Sequence, residues 1–433
     1  MYKMSMFNIC LDLNSRFVGL YNTLHDSAAL IEKNTYNDLL NFRFEEDGTV
    51  DLLLNEKILI EESFNEAMYF RYFINKLKYS PSYINFTLLL TSNCNYSCEY
   101  CFEGFEKNHK HMTERIASEF ITYIKRVLTN HSSVRKILIV FYGGEPLLNK
   151  KIMKFICNLI EENGEIRDKV DYSITTNLSL LTDQDIDFFV YHNFNSIQVA
   201  LDGSRSIHDK RRNKKNGDRT FDLTMKNIQK LTKQDLPVIV ILNFDKVNFD
   251  SFDQLISEIK SSIDYKKIEF VLNPITQTMG NKNCKKIFME ENEEVSIYLD
   301  LYNKLIDNGL NINSLSPKNM LCMATKDVAA LIVPNGDIYK CGLMMNDETK
   351  KIGTIFNENY NSNFYEMITD TPWEVCLEER CKYLPVCGGG CIGLNFVKNK
   401  STSSIHCEKE TYFDRLYTYF LTEQFREQMV NFT

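Results

Sequence analysis

Three cysteines stand close together as Cys94-x3-Cys98-x2-Cys101 in "TSNCNYSCEYCFEG" (91–104), directly after an apolar run. Thiols this near in sequence cannot all pair with one another, so a metal or cluster site is the first reading. Zinc would need a fourth ligand and a closed tetrahedron. A [4Fe–4S] cluster held by only three cysteines keeps one iron open. Spacing alone leaves both standing, beside the bland reading of three inert thiols. "FYGGEP" (141–146) closes the next apolar run. Its glycines let backbone approach a partner closely, and Glu145 can accept hydrogen bonds from an amine. Alone it is an ordinary turn; beside the cysteine loop it reads as part of one site.

A second concentration of thiols lies towards the end of the chain. The pattern is Cys322-x13-Gly336-x4-Cys341, then Cys376-x4-Cys381-x5-Cys387-x3-Cys391-x15-Cys407. By spacing this is either iron–sulfur ligation or a pair of zinc sites in a ribbon-like tail. Cys10, Cys157 and Cys284 read as isolated thiols in the core.

The elements that must position these residues are legible as short apolar runs. From 83 to 320 the candidate strands are "INFTLLL" (84–90), "KILIVFY" (136–142), "DYSITTN" (171–177), "SIQVAL" (196–201), "PVIVILNF" (237–244) and "KIEFVLN" (267–273). Helix-like stretches such as "ERIASEFITYIKRVL" and "DLTMKNIQKL" lie between them, an alternation that predicts a parallel α/β sheet or partial barrel. Chemistry in such folds collects at the C-terminal ends of the strands. The cysteine loop, "GGEP" and "DGSRSIHD" each follow one of these runs. Residues 1–82 read as a small α+β module, with a hairpin and helix in "RFVGLYNTLHDSAALIEKNTYNDLL" and a later wing in "LLLNEKILIEE". Residues 321–433 end in the aromatic helical stretch "ETYFDRLYTYFLTEQF".

The chain has 433 residues, 13 cysteines and a net charge of −8. That length suits two or three domains. "MYKMSMFNIC" has no signal-peptide pattern, and no apolar run is long enough for a bilayer span. The expectation is a cytoplasmic protein in which clustered cysteines bind metal. The acidic balance argues against nucleic acid as partner. The basic run "DKRRNKKNGDR" (209–219) reads as a solvated loop.

The three-cysteine loop with Tyr100 before its last cysteine, followed by Gly143-Gly144-Glu145-Pro146, resembles the radical SAM superfamily. The resemblance implies that Cys94, Cys98 and Cys101 are the catalytic cluster ligands, holding a [4Fe–4S] cluster whose open iron chelates S-adenosylmethionine (SAM). Tyr100 would sit beside the adenine, and the Gly143–Pro146 turn would receive the methionine amino group. Reductive cleavage of SAM would then give a 5′-deoxyadenosyl radical that abstracts a substrate hydrogen. "VALDGSRSIHDKRR" (199–212) is similar to a stretch of the peptide-modifying members, with Asp202, Gly203, His208, Asp209 and Arg212 matching and Ala200 where serine is common. His208 by itself reads as a structural histidine. Asn177 resembles the family's Thr-Asn-Gly turn without its glycine. Arg219 is the candidate for the SAM carboxylate, and Leu272 is counted among the expected cofactor contacts.

The C-terminal pattern resembles the SPASM domain with its two auxiliary [4Fe–4S] clusters, although x4 separates Cys376 and Cys381 where the family usually has x2. Three clusters in all are implied. Cys322, Cys341 and Cys391 would serve the first auxiliary cluster, and Cys376, Cys381, Cys387 and Cys407 the second. The first lacks an evident fourth cysteine, so either Cys284 supplies one or an iron is open to a substrate thiolate.

Residues 1–82 are similar in arrangement to the peptide-recognition module in front of many maturases of ribosomally made peptides (RiPPs). Such modules dock a leader peptide along a strand edge; the rival reading is a helper domain that caps the barrel. The resemblance thus implies a partial (β/α)6 TIM barrel at 83–320, between the N-terminal α+β module and a SPASM iron–sulfur domain at 321–433. It implies an anaerobic peptide maturase of the sactipeptide and ranthipeptide type, installing thioether crosslinks with electrons from a flavodoxin or ferredoxin. Formylglycine formation in a sulfatase, C–C crosslinking or epimerisation, and a non-catalytic metal scaffold are the alternatives.

Overall fold

A computed structural model describes residues 1–43, 48–103, 110–281, 283–312, 322–357 and 359–430. The N-terminal region carries β1 (Tyr2–Met4), β2 (Asn8–Asp12), β3 (Phe17–Asn22), β4 (Ser27–Glu32) and β5 (Leu59–Glu61). β2, β3 and β4 form an antiparallel meander, while β1 pairs with β5. The meander is buried on both faces, which is why "FVGLY" and "AALI" are nearly continuous apolar runs instead of alternating ones. Val18, Leu20, Ala29 and Ile31 pack towards Leu39 of the helix Lys33–Leu40 and Leu53 of the helix Thr49–Asn55. Ile9, Leu11 and Tyr21 pack on Tyr383, Tyr417, Leu421 and Phe425.

The run expected as a wing, "LLLNEKILIEE", corrects to the end of a helix followed by a short strand. Residues Thr49–Asn55 are helical and only Leu59–Glu61 is extended. Leucine is a good helix former, and Asp51 in the first turn suits the helix dipole.

The central sheet is built from β6 (Tyr83–Thr91), β7 (Lys136–Gly143), β8 (Val170–Thr175), β9 (Ser196–Leu201), β10 (Val238–Phe244) and β11 (Ile268–Pro274). These six neighbour one another in chain order and all run parallel. This is the α/β partial barrel expected from the alternation of runs. Helices such as Glu114–Asn130 cover it. Thr113 caps that helix by accepting from the Ile116 amide, and Phe120, Ile124 and Val127 form its buried stripe.

The C-terminal part does not form a separate sheet. β12 (Asn311–Ile312) extends the barrel beyond β11, and β13 (Ala330–Ile332) adds in parallel to β6 on the other side. β14 (Asp337–Tyr339) and β15 (Gly353–Thr354) continue from there, giving ten strands in one sheet. The division expected at 320/321 lies outside the described residues. The helix Asp414–Val430 then returns to the N-terminal meander, where Phe425 lies so close to Gly19 that a Cβ there would stand 2.5 Å from its ring. No helix among the described residues is long and apolar enough to cross a membrane.

Candidate functional site

The C-terminal ends of the strands surround a cavity of about 640 Å³. Cys94, Cys98 and Cys101 face it from the loop after β6, Gly143, Gly144 and Glu145 from the end of β7, and Asn177 from beyond β8. Tyr100 and Arg212 line it too, as do Asn243 on β10 and Asn273 on β11.

The Gly-Gly-Glu-Pro turn is bolted to the root of the cysteine loop. The Gly144 amide donates to the Thr91 carbonyl at 3.0 Å and the Glu145 amide to the Asn93 carbonyl at 2.8 Å. A Cβ on Gly144 would stand 2.3 Å from the Asn93 oxygen, a contact no side chain tolerates. The close approach made by Gly144 is therefore to the protein's own backbone. Glu145 is fully buried and accepts from the Leu147 amide (3.0 Å), the Thr176 hydroxyl (2.7 Å) and the Asn177 amide (2.8 Å). Burial still pushes its carboxyl above the usual range, against these hydrogen bonds. Its carboxylate thus braces the ends of β7 and β8 as well as facing the cavity. Pro146 begins the short helical turn Pro146–Asn149 and is buried away from the cavity.

The basic run, expected as a solvated loop, is in part structural. Arg211 and Arg212 are largely buried, with side chains 12% and 13% exposed. Arg211 pairs with Asp245 at 2.6 Å and Asp202 at 3.3 Å, and its guanidinium lies 5.1 Å over the Tyr100 ring. Arg212 donates to the Tyr100 hydroxyl at 2.6 Å. Burial alone would push Asp202 up, but Arg212 and Arg211 hold it below the ordinary carboxylate range. Buried carboxylates need such partners, and this is why the chain spends two arginines here. The next residues fold over the cysteine loop: Ser97 donates through its amide to the Asn213 carbonyl (3.1 Å) and through its hydroxyl to Asn213 Oδ1 (2.7 Å). Lys210 and the stretch from 215 to 219 are exposed.

His208 is fully buried as a structural histidine, accepting from the Asp202 amide at 3.4 Å, and burial pushes it down to about 4. Asp209 accepts from the amides of Thr220 and Phe221 and starts the helix Phe221–Thr232.

Four expected contacts do not line the cavity, and two of them, Pro146 and Asp202, are buried away from it. Arg219 lies on the exposed loop, and Leu272 packs in the core behind β11 while Val271 and Asn273 face the cavity. A strand puts alternate residues on opposite faces, so position 272 could not share the face of 273. Sequence reasoning missed Asn243 and Asn273, which are direct neighbours in register, with Asn273 Nδ2 donating to Asn243 Oδ1 at 2.8 Å. Their signal was the repeated Leu-Asn at the end of two consecutive strands, "ILNF" and "VLNP". Asn95 was missed as well; its side chain accepts from Asn177 and donates to Ser179.

The cysteines gather into three groups. Burial pushes the Cys98 thiol up to about 12; Arg212 opposes this, while Asp202, Cys101 and Cys94 add to it. Burial likewise pushes Cys341 up to about 12, with Cys322 and Cys391 as its charged neighbours. Cys376 is pushed up to about 11 by burial, with Cys381 and Cys407 adjacent, and Cys387 adjoins Cys376 and Cys381. None of these thiols is in a disulfide. Thiols grouped in this way offer the kind of donor set that an iron–sulfur cluster takes, with Cys322, Cys391 and Cys407 exposed and the others partly covered. Gly393 makes room for the second group, since a Cβ there would stand 2.7 Å from the Cys341 sulfur. Cys284, the candidate fourth ligand, is instead seated against the first loop, donating to the Glu99 carbonyl at 3.1 Å. Cys157 is core, as expected, whereas Cys10 is exposed on β2.

Residues 88–259 match the radical SAM superfamily. The chain carries a radical SAM domain. The family implies a [4Fe–4S] cluster and SAM, and the cavity with its three thiols fits both. This radical SAM enzyme is 26% identical over 359 residues to the cysteine-type anaerobic sulfatase-maturating enzyme of Clostridium novyi (strain NT), spanning 75% of this chain and 92% of that one. Its fold is like that of native anSMEcpe with bound AdoMet, at a TM-score of 0.62 and 19% identity, over 80% of this chain and 98% of that one. The Streptococcus suis protein SuiB bound to its precursor peptide SuiA has a similar fold, at a TM-score of 0.56 and 16% identity, over 94% of this chain and 99% of that one.

Proposed function

We propose that this radical SAM enzyme is a peptide maturase that installs thioether crosslinks in a ribosomally made precursor. One observation carries the reading: Cys391, with Leu343 and Leu394, stands in the wall of the cavity that Cys94, Cys98 and Cys101 face. Cys94, Cys98 and Cys101 would hold the SAM cluster, and Tyr100, Gly143, Gly144, Glu145, Asn177 and Arg212 would shape the SAM site. When bound, the cluster and SAM supply a 5′-deoxyadenosyl radical that abstracts a hydrogen atom. Cys322, Cys341 and Cys391 would hold a further cluster, and Cys376, Cys381, Cys387 and Cys407 a third. The three-cysteine group leaves a place for a substrate thiolate at the edge of the shared chamber. Joining sulfur to carbon removes one hydrogen atom from the carbon, one proton from the thiol and one electron; clusters held by these C-terminal cysteines would supply the acceptor for that electron, and a flavodoxin or ferredoxin would supply the electron that starts the reaction.

The leader of the precursor would dock on residues 1–82. In support, the likeness to SuiB covers 94% of this chain, which requires that most of these residues be included. The meander keeps the outer edges of β2 and β4 without a further strand among the described residues. Formylglycine formation in a sulfatase is the second reading, favoured by the sulfatase-maturating relative.

The test is mass spectrometry of peptides that co-purify with the protein handled without oxygen, together with an assay for 5′-deoxyadenosine after reduction. A short cysteine-containing peptide lighter by a pair of hydrogens supports the thioether reading. A captured sulfatase overturns it in favour of the second.

A further inference from the structure

Two lysines are buried beside the Cys322, Cys341 and Cys391 thiols. Lys326 is 5% exposed and Lys340 is 1% exposed. Lys340 is adjacent in sequence to Cys341, and its ammonium donates to the carbonyls of Lys326, Asp327 (3.0 Å) and Ala329 (2.7 Å). The Lys326 ammonium donates to the Tyr83 carbonyl at 3.2 Å. Both ammonium groups act electrostatically on the Cys322 thiol. Nothing in the site chemistry described so far uses them.

Lysine is almost never fully buried without a purpose or a partner. The carboxylate facing Lys340 is Asp327, which also lies 3.9 Å from His131, whereas the charge acting on Lys326 is that of Cys322. The surroundings of the other C-terminal group differ in sign. The charged side chain acting on Cys376 there is the carboxylate of Glu379.

We propose that Lys326 and Lys340 are redox-tuning residues, which raise the reduction potential of the centre held by Cys322, Cys341 and Cys391 above that of the centre held by Cys376, Cys381, Cys387 and Cys407. The inference rests on the iron–sulfur reading of these cysteines. Taking up one electron adds one negative charge to a cluster. A cation fixed nearby in a water-poor interior favours that added charge, whereas a carboxylate disfavours it. Three carbonyls, those of Lys326, Asp327 and Ala329, accept from Lys340 Nζ, and only the ammonium form carries three protons to donate. The group lining the substrate cavity is thereby the better electron acceptor of the two. An electron released in the cavity reaches it first and can pass on to the second centre only uphill, or with an external acceptor to draw it.

The experiment is a potentiometric titration followed by electron paramagnetic resonance. It uses the full chain with Cys94→Ala, Cys98→Ala and Cys101→Ala, reconstituted anaerobically so that only the auxiliary centres report. Two midpoints are expected with about eight irons per chain. Further substitution of Cys381→Ala and Cys387→Ala should abolish the lower midpoint and keep the higher one. Lys326→Met and Lys340→Met should each move the higher midpoint down and leave the lower in place, and Lys326→Arg should restore it. Unchanged midpoints at full iron content, or loss of the higher midpoint with Cys381 and Cys387, overturn the lysine assignment alone. The order of the two midpoints tests it even where a methionine variant does not fold. Wild-type protein with iron for one cluster only overturns the ligation reading itself.

Discussion

The Glu145 amide donates to the Asn93 carbonyl at 2.8 Å, one residue before Cys94. The turn that closes β7 is therefore part of the same hydrogen-bonded unit as the cysteine loop, and distortion of either is transmitted to the other. Gly144 is where this unit has no slack.

Gly144→Ala should accordingly displace the root of the cysteine loop. The added methyl meets backbone at Asn93 and Cys94, which cannot rotate away. The expected outcome is loss of iron from the first group and loss of SAM cleavage, with the two auxiliary groups retained. Iron content and visible absorbance of the anaerobic variant check it.

Arg211→Met strands the fully buried carboxylate of Asp245 and leaves that of Asp202 with Arg212 alone. Removing one partner of such a network costs about 3–5 kcal/mol. The variant should lose stability by that order, and Asp245→Asn combined with Arg211→Met should recover part of it. Thermal unfolding of the four proteins of the cycle measures the coupling.

His208 gives the stability a pH slope. Its folded-state value is about 4 against an ordinary 6.5, so between these limits the unfolded chain binds more protons. Stability from this residue is complete above 6.5 and is lost as the pH falls, by about 2 kcal/mol at about pH 5. His208→Gln keeps an acceptor for the Asp202 amide and should flatten that slope. Parallel unfolding curves of both proteins at pH 7 and 5 decide it, and equal slopes would refute the assignment.

Cys391→Ala separates SAM chemistry from substrate chemistry. The residue lines the cavity but belongs to the second thiol group. Reductive cleavage of SAM should persist at a similar rate, whereas crosslinked peptide should fall at least tenfold. Simultaneous assay of 5′-deoxyadenosine and peptide mass reads both.

The barrel was legible because its strands are buried on one face and turn the other into the barrel, away from bulk solvent. "SIQVAL" and "KILIVFY" have no competing helical period, and their ends fall within a residue of the structure. The three thiol groups were legible because sulfur ligands are rare and closely spaced. What failed depended on direction. Leu272 and Asn273 are adjacent in sequence yet on opposite faces of β11. Arg211, Arg212 and Arg219 look alike in a basic run, but only the first two meet buried carboxylates. The leucines of 52–54 were read as strand because their apolarity, without context, has no period. Cys284 was assigned by nearness in sequence to Cys322, whereas the fold turns it back to Glu99.

The helix Asp414–Val430 covers the face of the meander carrying Ile9, Leu11 and Tyr21. The meander is thus completed by a segment made long after it. At roughly 5–20 residues per second, its apolar face waits for tens of seconds before Tyr417, Leu421 and Phe425 exist. During synthesis the module is an open half-layer until that helix has been made.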